Sequence, residues 1–310
     1  MLLDRFPHAL VLTGPTGSGK SALATELAKR LGAEIISMDS MAVYRGMDIG
    51  TAKPPPEQRQ EVPHHLIDVL DPWESGSVAW WVKQAARCAQ EITTRARRVL
   101  FVGGTPLYLK ALVYGMFEGP PANPELRARL VAEARINGNE HLFARLLQVD
   151  PVSARRLHVN DVKRMIRALE VCELTGKPIS AWQKEWKTTK APLAPTEQPR
   201  ILWLNLPRSE LYVRIDQRVE DMFAAGFVDE VKALRSLTRP LSREAAYALG
   251  YREVMEYLDA KLLLQETVRR IQTRSRQFAK RQMTWFRHLP GCVPVAPELT
   301  FAAWGLKMEN

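Results

Sequence analysis

Ala9-Leu10-Val11-Leu12-Thr13-Gly14-Pro15-Thr16-Gly17-Ser18-Gly19-Lys20-Ser21 decides the fold of this 310-residue chain. Ala9 to Leu12 reads as a short apolar strand. Gly14 to Ser21 fits G-x-x-x-x-G-K-[ST], a loop whose backbone amides cradle phosphate groups. Ala22, Leu23, Ala24, Leu27, Ala28 and Leu31 then recur at helical spacing until Gly32 stops the pattern. Strand, glycine-rich loop and helix in this order are the setting the motif requires. The loop amides and the helix N-terminus direct partial positive charge at one point. Lys20 adds a full charge, and Ser21 places a hydroxyl where a phosphate-bound Mg2+ would sit. The stretch reads as a polyphosphate site in an α/β protein, in preference to a glycine turn that binds nothing.

Outward from the loop, Ala33 to Asp39 reads as a second strand ending in Asp39-Ser40 at the carboxyl edge, where open α/β sheets bind ligands. Tyr44 to Pro56 is a long Gly- and Pro-bearing loop, of the kind that is functional or disordered. His64 to Val69 is a third strand, Ser77 to Arg97 a helix, and Arg98 to Val102 a buried strand running into Gly103-Gly104-Thr105-Pro106 and a helix over Leu107 to Val113. Alternating strands and helices predict a parallel sheet.

The pattern changes at Gly115 to Pro121. From Asn123 to about Trp186 it is helical, with starts at Pro124, Asn139 and Asn160-Asp161 and a stop at Gly176-Lys177-Pro178. A proline-bearing linker, Lys190 to Pro199, leads to an isolated strand, Arg200 to Leu206, that rejoins the first sheet. The expected organisation is a core of residues 1–115 and 198–310 with a helical insertion at 116–197. Helices follow over Leu211 to Leu237, Ser242 to Leu258 and Glu266 to Arg287. In the last of these, Ile271, Ser275, Phe278, Gln282 and Trp285 read as one inward stripe. Arg269, Arg270, Arg274, Arg276, Lys280, Arg281 and Arg287 surround it, either as a solvated face or as a surface for an anion.

At 46% hydrophobic and 25% charged residues, the chain has the composition of a folded protein with a sizeable core. Its net charge of +10 favours an anionic macromolecular partner, weakly on its own. Cys88, Cys172 and Cys292 are far apart and form no metal-binding spacing, so they read as reduced thiols of a cytoplasmic protein. No signal peptide and no membrane-spanning run is legible.

Asp39-Ser40, Thr105, Arg214 and Arg218 are the residues placed to meet at the phosphate site. Asp39 suits a general base, an indirect Mg2+ ligand or a loop cap. Thr105 suits a donor to a ligand oxygen or a plain strand-to-helix turn. Arg214 and Arg218, four apart, suit a diphosphate clamp or structural ion pairs. His64 and His65 read as structural, since no third ligand stands at recognisable spacing.

GPTGSGKS, Asp39-Ser40-Met41, VYRGMDIGTAKP, HHLID, GGTPLYLKAL, RLHVNDVKRMIRALEV, ELTGKPIS, Ala248 to Glu253 and AKRQMTWFR together resemble the tRNA dimethylallyltransferases, in order and over nearly the whole chain. That family prenylates N6 of adenosine 37 beside the anticodon. The resemblance implies a P-loop NTPase-like core of parallel sheet flanked by helices, an all-helical insertion, and a loop that holds dimethylallyl diphosphate with Mg2+ at Ser21. It gives Asp39 the amine's proton, and gives Thr105 the diphosphate or its bridging oxygen. Gly14, Pro15, Thr16, Gly17, Ser18, Gly19, Lys20 and Ser21, with Arg214 or Arg218, would hold the diphosphate. Ser40, Met41 and Ala42, Arg127, Lys163 to Arg167 (with Arg164, Met165 and Ile166), Gly250, Tyr251 and Arg252, and Lys280, Arg281, Gln282, Trp285 and Arg287 match segments that face tRNA. The adenine would have to be flipped out of the anticodon loop to reach the site. The implied protein is a cytoplasmic monomer whose partner is the anticodon stem-loop, with no membrane and no protein partner.

Some residues depart from the family's pattern. Gly17 stands for a frequent alanine, Ala42 for a common glutamine, and Pro106 for a small flexible residue. No Cys/His zinc module follows the basic helix, which fits a bacterial type. Three other readings remain: a small-molecule or nucleotide kinase that binds ATP, an adenylate dimethylallyltransferase, and a non-enzymatic RNA-binding protein. No residues for an ATP adenine site or an acceptor hydroxyl can be named, and the last two leave the basic helix or the pair Asp39 and Thr105 without a purpose.

Overall fold

The computed structural model describes residues 2–116, 119–184 and 198–306. The expected linker from Lys190 to residue 197, Phe117 and Glu118 at the expected boundary, and the helical reading beyond residue 184 lie outside the described residues. The chain divides into two compact units, Met1–Val113 with Ala191–Asn310, and Tyr114–Lys190.

The first unit is built on six parallel strands: β1 Leu10–Thr13, β2 Ala33–Ser37, β3 His64–His65, β4 Arg98–Gly103, β5 Ile201–Leu204 and β6 Cys292–Val295. Their order is β3-β2-β4-β1-β5-β6. β1 is central, with Leu12 opposite both Val102 of β4 and Leu202 of β5. β2 and β5 are buried along their whole length and β4 after its first residue, which is why they read as continuous apolar runs. The third strand is shorter than its reading, two residues in place of six. β6 was not foreseen. It carries Pro294, and it pairs only with β5, so the missing amide costs no ladder bond inside the sheet.

Helices pack beside the sheet: α1 Lys20–Leu31, α2 Val78–Thr94 and α3 Pro106–Tyr114. Ser77 caps α2 by accepting the Trp80 amide hydrogen. Trp81 of α2 donates its indole N–H to the Ser37 carbonyl at 2.9 Å and stacks on Tyr108 of α3 at 4.5 Å, which fastens both helices to the end of β2.

The second unit stands on its own core of Leu130, Leu142, Leu146, Met165 and Leu169. Its main helices are α4 Pro124–Asn137, α5 Asn139–Val149 and α6 Val162–Thr175. Asn123 and Asp161 cap α4 and α6, and Gly176 ends α6 in the left-handed region.

Beyond β5, the stretch read as one helix over Leu211 to Leu237 is two, α7 Arg208–Ala224 and α8 Phe227–Arg235. Gly226, at φ 94°, takes a conformation that no helix continues through. Ser242 to Leu258 likewise splits into a turn at Arg243–Ala246 and α9 Tyr251–Leu258, with Gly250 at φ 92° before it. The basic helix, α10, runs Leu264–Arg287. Its buried stripe is Thr267, Ile271, Ser275, Ala279, Gln282, Met283 and Phe286. Phe278 and Trp285, expected inside, are exposed at 36% and 40%. The stripe is rotated because Ala279, Met283 and Phe286 pack inward, so its true phase lies one residue along.

Candidate active site

The carboxyl ends of β1, β2 and β4 open on one cavity of about 350 Å3, lined entirely by residues of the first unit. That volume suits a small ligand, whose sites span roughly 300–1,000 Å3. Its lining combines apolar side chains, among them Ala24, Ile35, Ile67, Val102, Val219 and Met222, with the charged Lys20, Asp39 and Arg218.

The phosphate loop turns at Gly17 and Gly19, both left-handed with φ 79° and 81°. Gly17 is demanded twice over, since a Cβ there would stand 2.8 Å from Ile215 of α7. This removes any concern over the alanine expected at that position. Ser18 is buried and its hydroxyl has no partner among the described residues. Lys20 and Ser21 line the cavity. Burial first, then the charge of Arg218, hold the Lys20 ammonium down at about 8, with Asp39 opposing them. A cation held this way gains an anion readily.

Arg218 of α7 also lines the cavity, donating to the Thr16 hydroxyl at 3.2 Å and the Thr51 carbonyl at 3.5 Å. Burial lowers its pKa, while the Asp39 charge counters. Arg214, one turn earlier, is exposed and paired with Glu210 at 2.6 Å. Of the two arginines, the geometry brings Arg218 to the cavity.

Asp39 accepts the amide hydrogens of Met41 at 2.8 Å and Ala42 at 3.3 Å, both on Oδ1. It is therefore a loop cap, and it also lines the cavity with Oδ2 left without a protein partner among the described residues. Thr105 accepts the Ser40 amide hydrogen at 3.1 Å, and its own amide donates to Met38 O. Gly103 is where the two loops touch. A Cβ there would lie 2.4 Å from the Met38 carbonyl carbon. Pro106 begins α3 directly, where a proline needs no amide partner.

The loop from Tyr44 to Pro56 is ordered by two side chains that the sequence reading passed over. Lys53, 2% exposed, donates to Tyr44 O at 2.5 Å, Asp48 at 2.6 Å and Asp68 at 2.5 Å. Glu230 of α8 accepts the amide hydrogens of Asp48, Ile49 and Gly50 and the hydroxyl of Tyr251. Together they hold Thr51 where Arg218 reaches it. A lysine flanked by acids in a proline-bearing loop was the available signal; Glu230 had none, being 180 residues from Gly50 in sequence.

The residues expected to face tRNA divide by burial. In the first unit, Ser40 and Met41 are partly exposed, while Ala42 is buried. Gly250 and Tyr251 are also buried, Tyr251 within the core beside Phe227. Arg252 is exposed over Tyr247. Gln282 is buried, bonded to the phosphate loop, and lines the cavity rather than the outer surface. Lys280, Arg281 and Arg287 are exposed, without a carboxylate partner among the described residues, and Trp285 lies under Lys110. Arg270, Arg274 and Arg276 are paired with Glu256, Glu253 and Asp216, so half of the basic helix's arginines are structural.

In the second unit, Met165 and Ile166 are core residues and cannot meet RNA. Arg127 and Arg167 both bond Glu170, which is fully buried. Burial pushes the Glu170 carboxyl up, but these two arginines and the Asn123 amide leave it below its ordinary value. Arg164 pairs with Asp161, and Lys163 is exposed. His64 bonds the Val62 carbonyl and His65 bonds Glu34, which bears out their structural reading.

A phosphate loop, apolar side chains and a carboxylate lining one cavity are the parts of an enzyme that acts on a phosphorylated small molecule. Residues 42–289 match the profile of a family described as IPP transferase, and residues 7–69 one described as isopentenyl transferase. The tRNA dimethylallyltransferase of Symbiobacterium thermophilum is 50% identical over 90% of this chain and 86% of its own length. That of Geobacter metallireducens is 46% identical over 90% and 89%. A solved tRNA isopentenylpyrophosphate transferase from Bacillus halodurans superposes with TM-score 0.66 at 38% identity, covering 93% and 89% of the two chains. A eukaryotic dimethylallyltransferase acting on tRNA gives 0.72 at 28%, covering 90% of this chain and 69% of its own. The chain belongs to the IPP transferase family. Its fold is the P-loop NTPase-like one of those structures. Among the described residues no helix is long and apolar enough to cross a membrane.

Proposed function

We propose that this enzyme transfers the dimethylallyl group of dimethylallyl diphosphate to N6 of adenosine 37 in the anticodon loop of tRNA, releasing diphosphate. The observation that carries this reading is that Asp39 and Thr105, joined through Ser40, line one cavity with Lys20, Arg218 and a set of apolar side chains. A diphosphate suits the cations and a five-carbon chain suits the apolar side chains of the lining. Lys280, Arg281 and Arg287 offer phosphate contacts, and the exposed Phe278 and Trp285 offer ring faces to unstacked bases.

The exocyclic amine is a weak nucleophile because its lone pair is shared with the ring. Asp39 Oδ2 accepts an N6 hydrogen and takes the proton as nitrogen bonds to C1 of the prenyl group. The C1–O bond breaks, and its electron pair leaves on the diphosphate. Thr105 donates to the oxygen that gains this charge, and Lys20, Arg218 and the loop amides stabilise it. No cluster of three or more His, Cys, Asp or Glu side chains forms a metal cage among the described residues. A Mg2+ carried by the diphosphate needs no such cage, and Ser21 is the donor that fits it. When bound, it neutralises charge on the leaving group.

The test is a transfer assay with labelled dimethylallyl diphosphate and Mg2+, offered unmodified tRNA or AMP, and a parallel ATP-hydrolysis assay. Label confined to an adenosine 3′ of the anticodon is the expected result. Label in AMP, or ATP consumption without prenyl transfer, would replace the reading.

A further inference from the structure

Gln282 sits on the buried side of α10, 2% exposed, one residue from the exposed Arg281. Its Oε1 accepts the Thr16 amide hydrogen at 2.9 Å, and its Nε2 donates to Gly104 O at 2.6 Å. These two bonds span 266 and 178 residues and join the phosphate loop to the turn that carries Thr105. The partners fix the amide's orientation, since Thr16 N can only donate and Gly104 O can only accept. Only a side chain with both an acceptor and a donor serves, which excludes glutamate in its charged form. The approach is close: a Cβ at Gly104 would stand 2.6 Å from Gln282 Nε2 and 2.9 Å from Gly14 O. The same loop residue, Thr16, receives Arg218 on its hydroxyl.

We infer that Gln282 is a positioning residue for the diphosphate site, setting the spacing between the phosphate loop and Thr105, and that it is not an RNA contact. Its side chain lines the same cavity, and its oxygen and nitrogen engage the two loops that flank it. Its amide holds Thr16, whose neighbours Lys20 and Arg218 meet the phosphates, and holds Gly104, whose neighbour Thr105 meets the leaving oxygen. Without it the cations and the donor no longer address one diphosphate. The inference rests on the reading of this loop as a diphosphate site.

The experiment measures inorganic pyrophosphate binding by calorimetry, tRNA binding by gel shift, and KM and kcat for dimethylallyl diphosphate, on the full chain. Gln282→Met keeps the volume and removes both bonds. It should weaken pyrophosphate binding and raise KM for the diphosphate substrate about tenfold, as loss of two hydrogen bonds allows. tRNA affinity should stay unchanged. Arg281→Ala should do the opposite. Gln282→Glu supplies the rescue: once protonated, a glutamic acid again offers a donor and an acceptor. Its pyrophosphate affinity, as a ratio to wild type, should recover between pH 8 and about pH 5.5; this arm stands even if Gln282→Met fails to fold. A Gln282→Met protein with wild-type pyrophosphate affinity, or with lost tRNA binding alone, would overturn the inference. So would a Gln282→Glu ratio that does not move with pH. Wild-type protein that binds no pyrophosphate would overturn the diphosphate reading itself, and the inference with it.

Discussion

The Ser40 amide donates to the Thr105 hydroxyl at 3.1 Å, and through that bond the loop after β2 is fastened to the turn after β4. Asp39, whose Oδ1 caps the same loop, is thereby held beside the threonine rather than left on an independent segment. Thr105→Val keeps the shape and removes the hydroxyl. Prenyl transfer at saturating substrates should fall by about 10²-fold, the cost of one donor lost from a leaving oxygen. tRNA affinity should hold. Equal turnover of the two proteins in a single-turnover assay would remove Thr105 from the chemistry.

Asp39→Asn separates capping from catalysis. Asparagine keeps an Oδ1 for the Met41 and Ala42 amides, so the loop stays folded. It takes no proton, so turnover should drop by roughly 10²–10⁴-fold with tRNA binding preserved. Asp39→Ala loses the cap as well and should lower thermal stability. If Asp39→Asn kept full activity, the carboxylate would be a cap and nothing more.

Arg218 and Arg214 lie on one helix but have different surroundings. Arg218→Ala removes a cation from the cavity and should weaken pyrophosphate binding by about 1.5 kcal/mol or more, on the order of tenfold. Arg214→Ala removes an exposed arginine paired with Glu210, whose guanidinium lies beside Gly19 but outside the cavity lining, and should have the smaller effect. Calorimetric titration of both variants decides, and the reverse ranking would move the clamp to Arg214.

Lys20 makes the site sensitive to pH. Its folded value of about 8 lies below the ordinary 10.5. The group therefore opposes folding below pH 8, and that opposition fades as pH rises toward 10.5. A bound diphosphate favours the protonated amine. Pyrophosphate affinity should accordingly weaken as pH rises through about 8, with proton uptake on binding. The rise in Tm given by a fixed pyrophosphate concentration should be larger at pH 7 than at pH 9.5. Lys20→Met should lose this weakening and keep only the pH dependence that pyrophosphate's own ionisation contributes. A wild-type affinity unchanged from pH 7 to 9.5 would place the lysine away from the ligand.

The basic helix contains two kinds of cation, and salt tells them apart. Removing Lys280, Arg281 or Arg287 should each reduce the slope of log affinity for tRNA against log salt by about one. Removing Arg274 should leave the slope alone and destabilise the protein by about 2 kcal/mol, because its partner Glu253 is buried; the half-exposed arginine is partly screened. Gel shifts across a salt series, with thermal melts beside them, test both.

Local signals were legible and distant ones were not. The phosphate loop, β1, β4 and the capped starts of α2, α4 and α6 announce themselves in a few adjacent residues. β6 did not, because Pro294 argues against a strand until the edge position is known. The inward face of α10 was misjudged by giving Phe278 and Trp285 the weight that Ala279 and Phe286 carry. In the site, Asp39, Thr105 and Lys20 stand in quotable strings. Lys53, Glu230 and the inward role of Gln282 depend on partners far along the chain, and no local pattern encodes them. Tyr251 belongs with them: only the packing around Phe227 shows that it is a core residue as well as a lining residue of the cavity.

β1 lies between β4 and β5, and the whole second unit is encoded between those two neighbours. On the ribosome, β1 can pair with β4 once residue 103 has emerged, yet its other edge stays open until residues 201–204 follow. At roughly 5–20 residues per second that wait lasts about 5–20 seconds. For that time the nascent chain exposes one open edge of an apolar central strand, an edge that the finished sheet covers with β5.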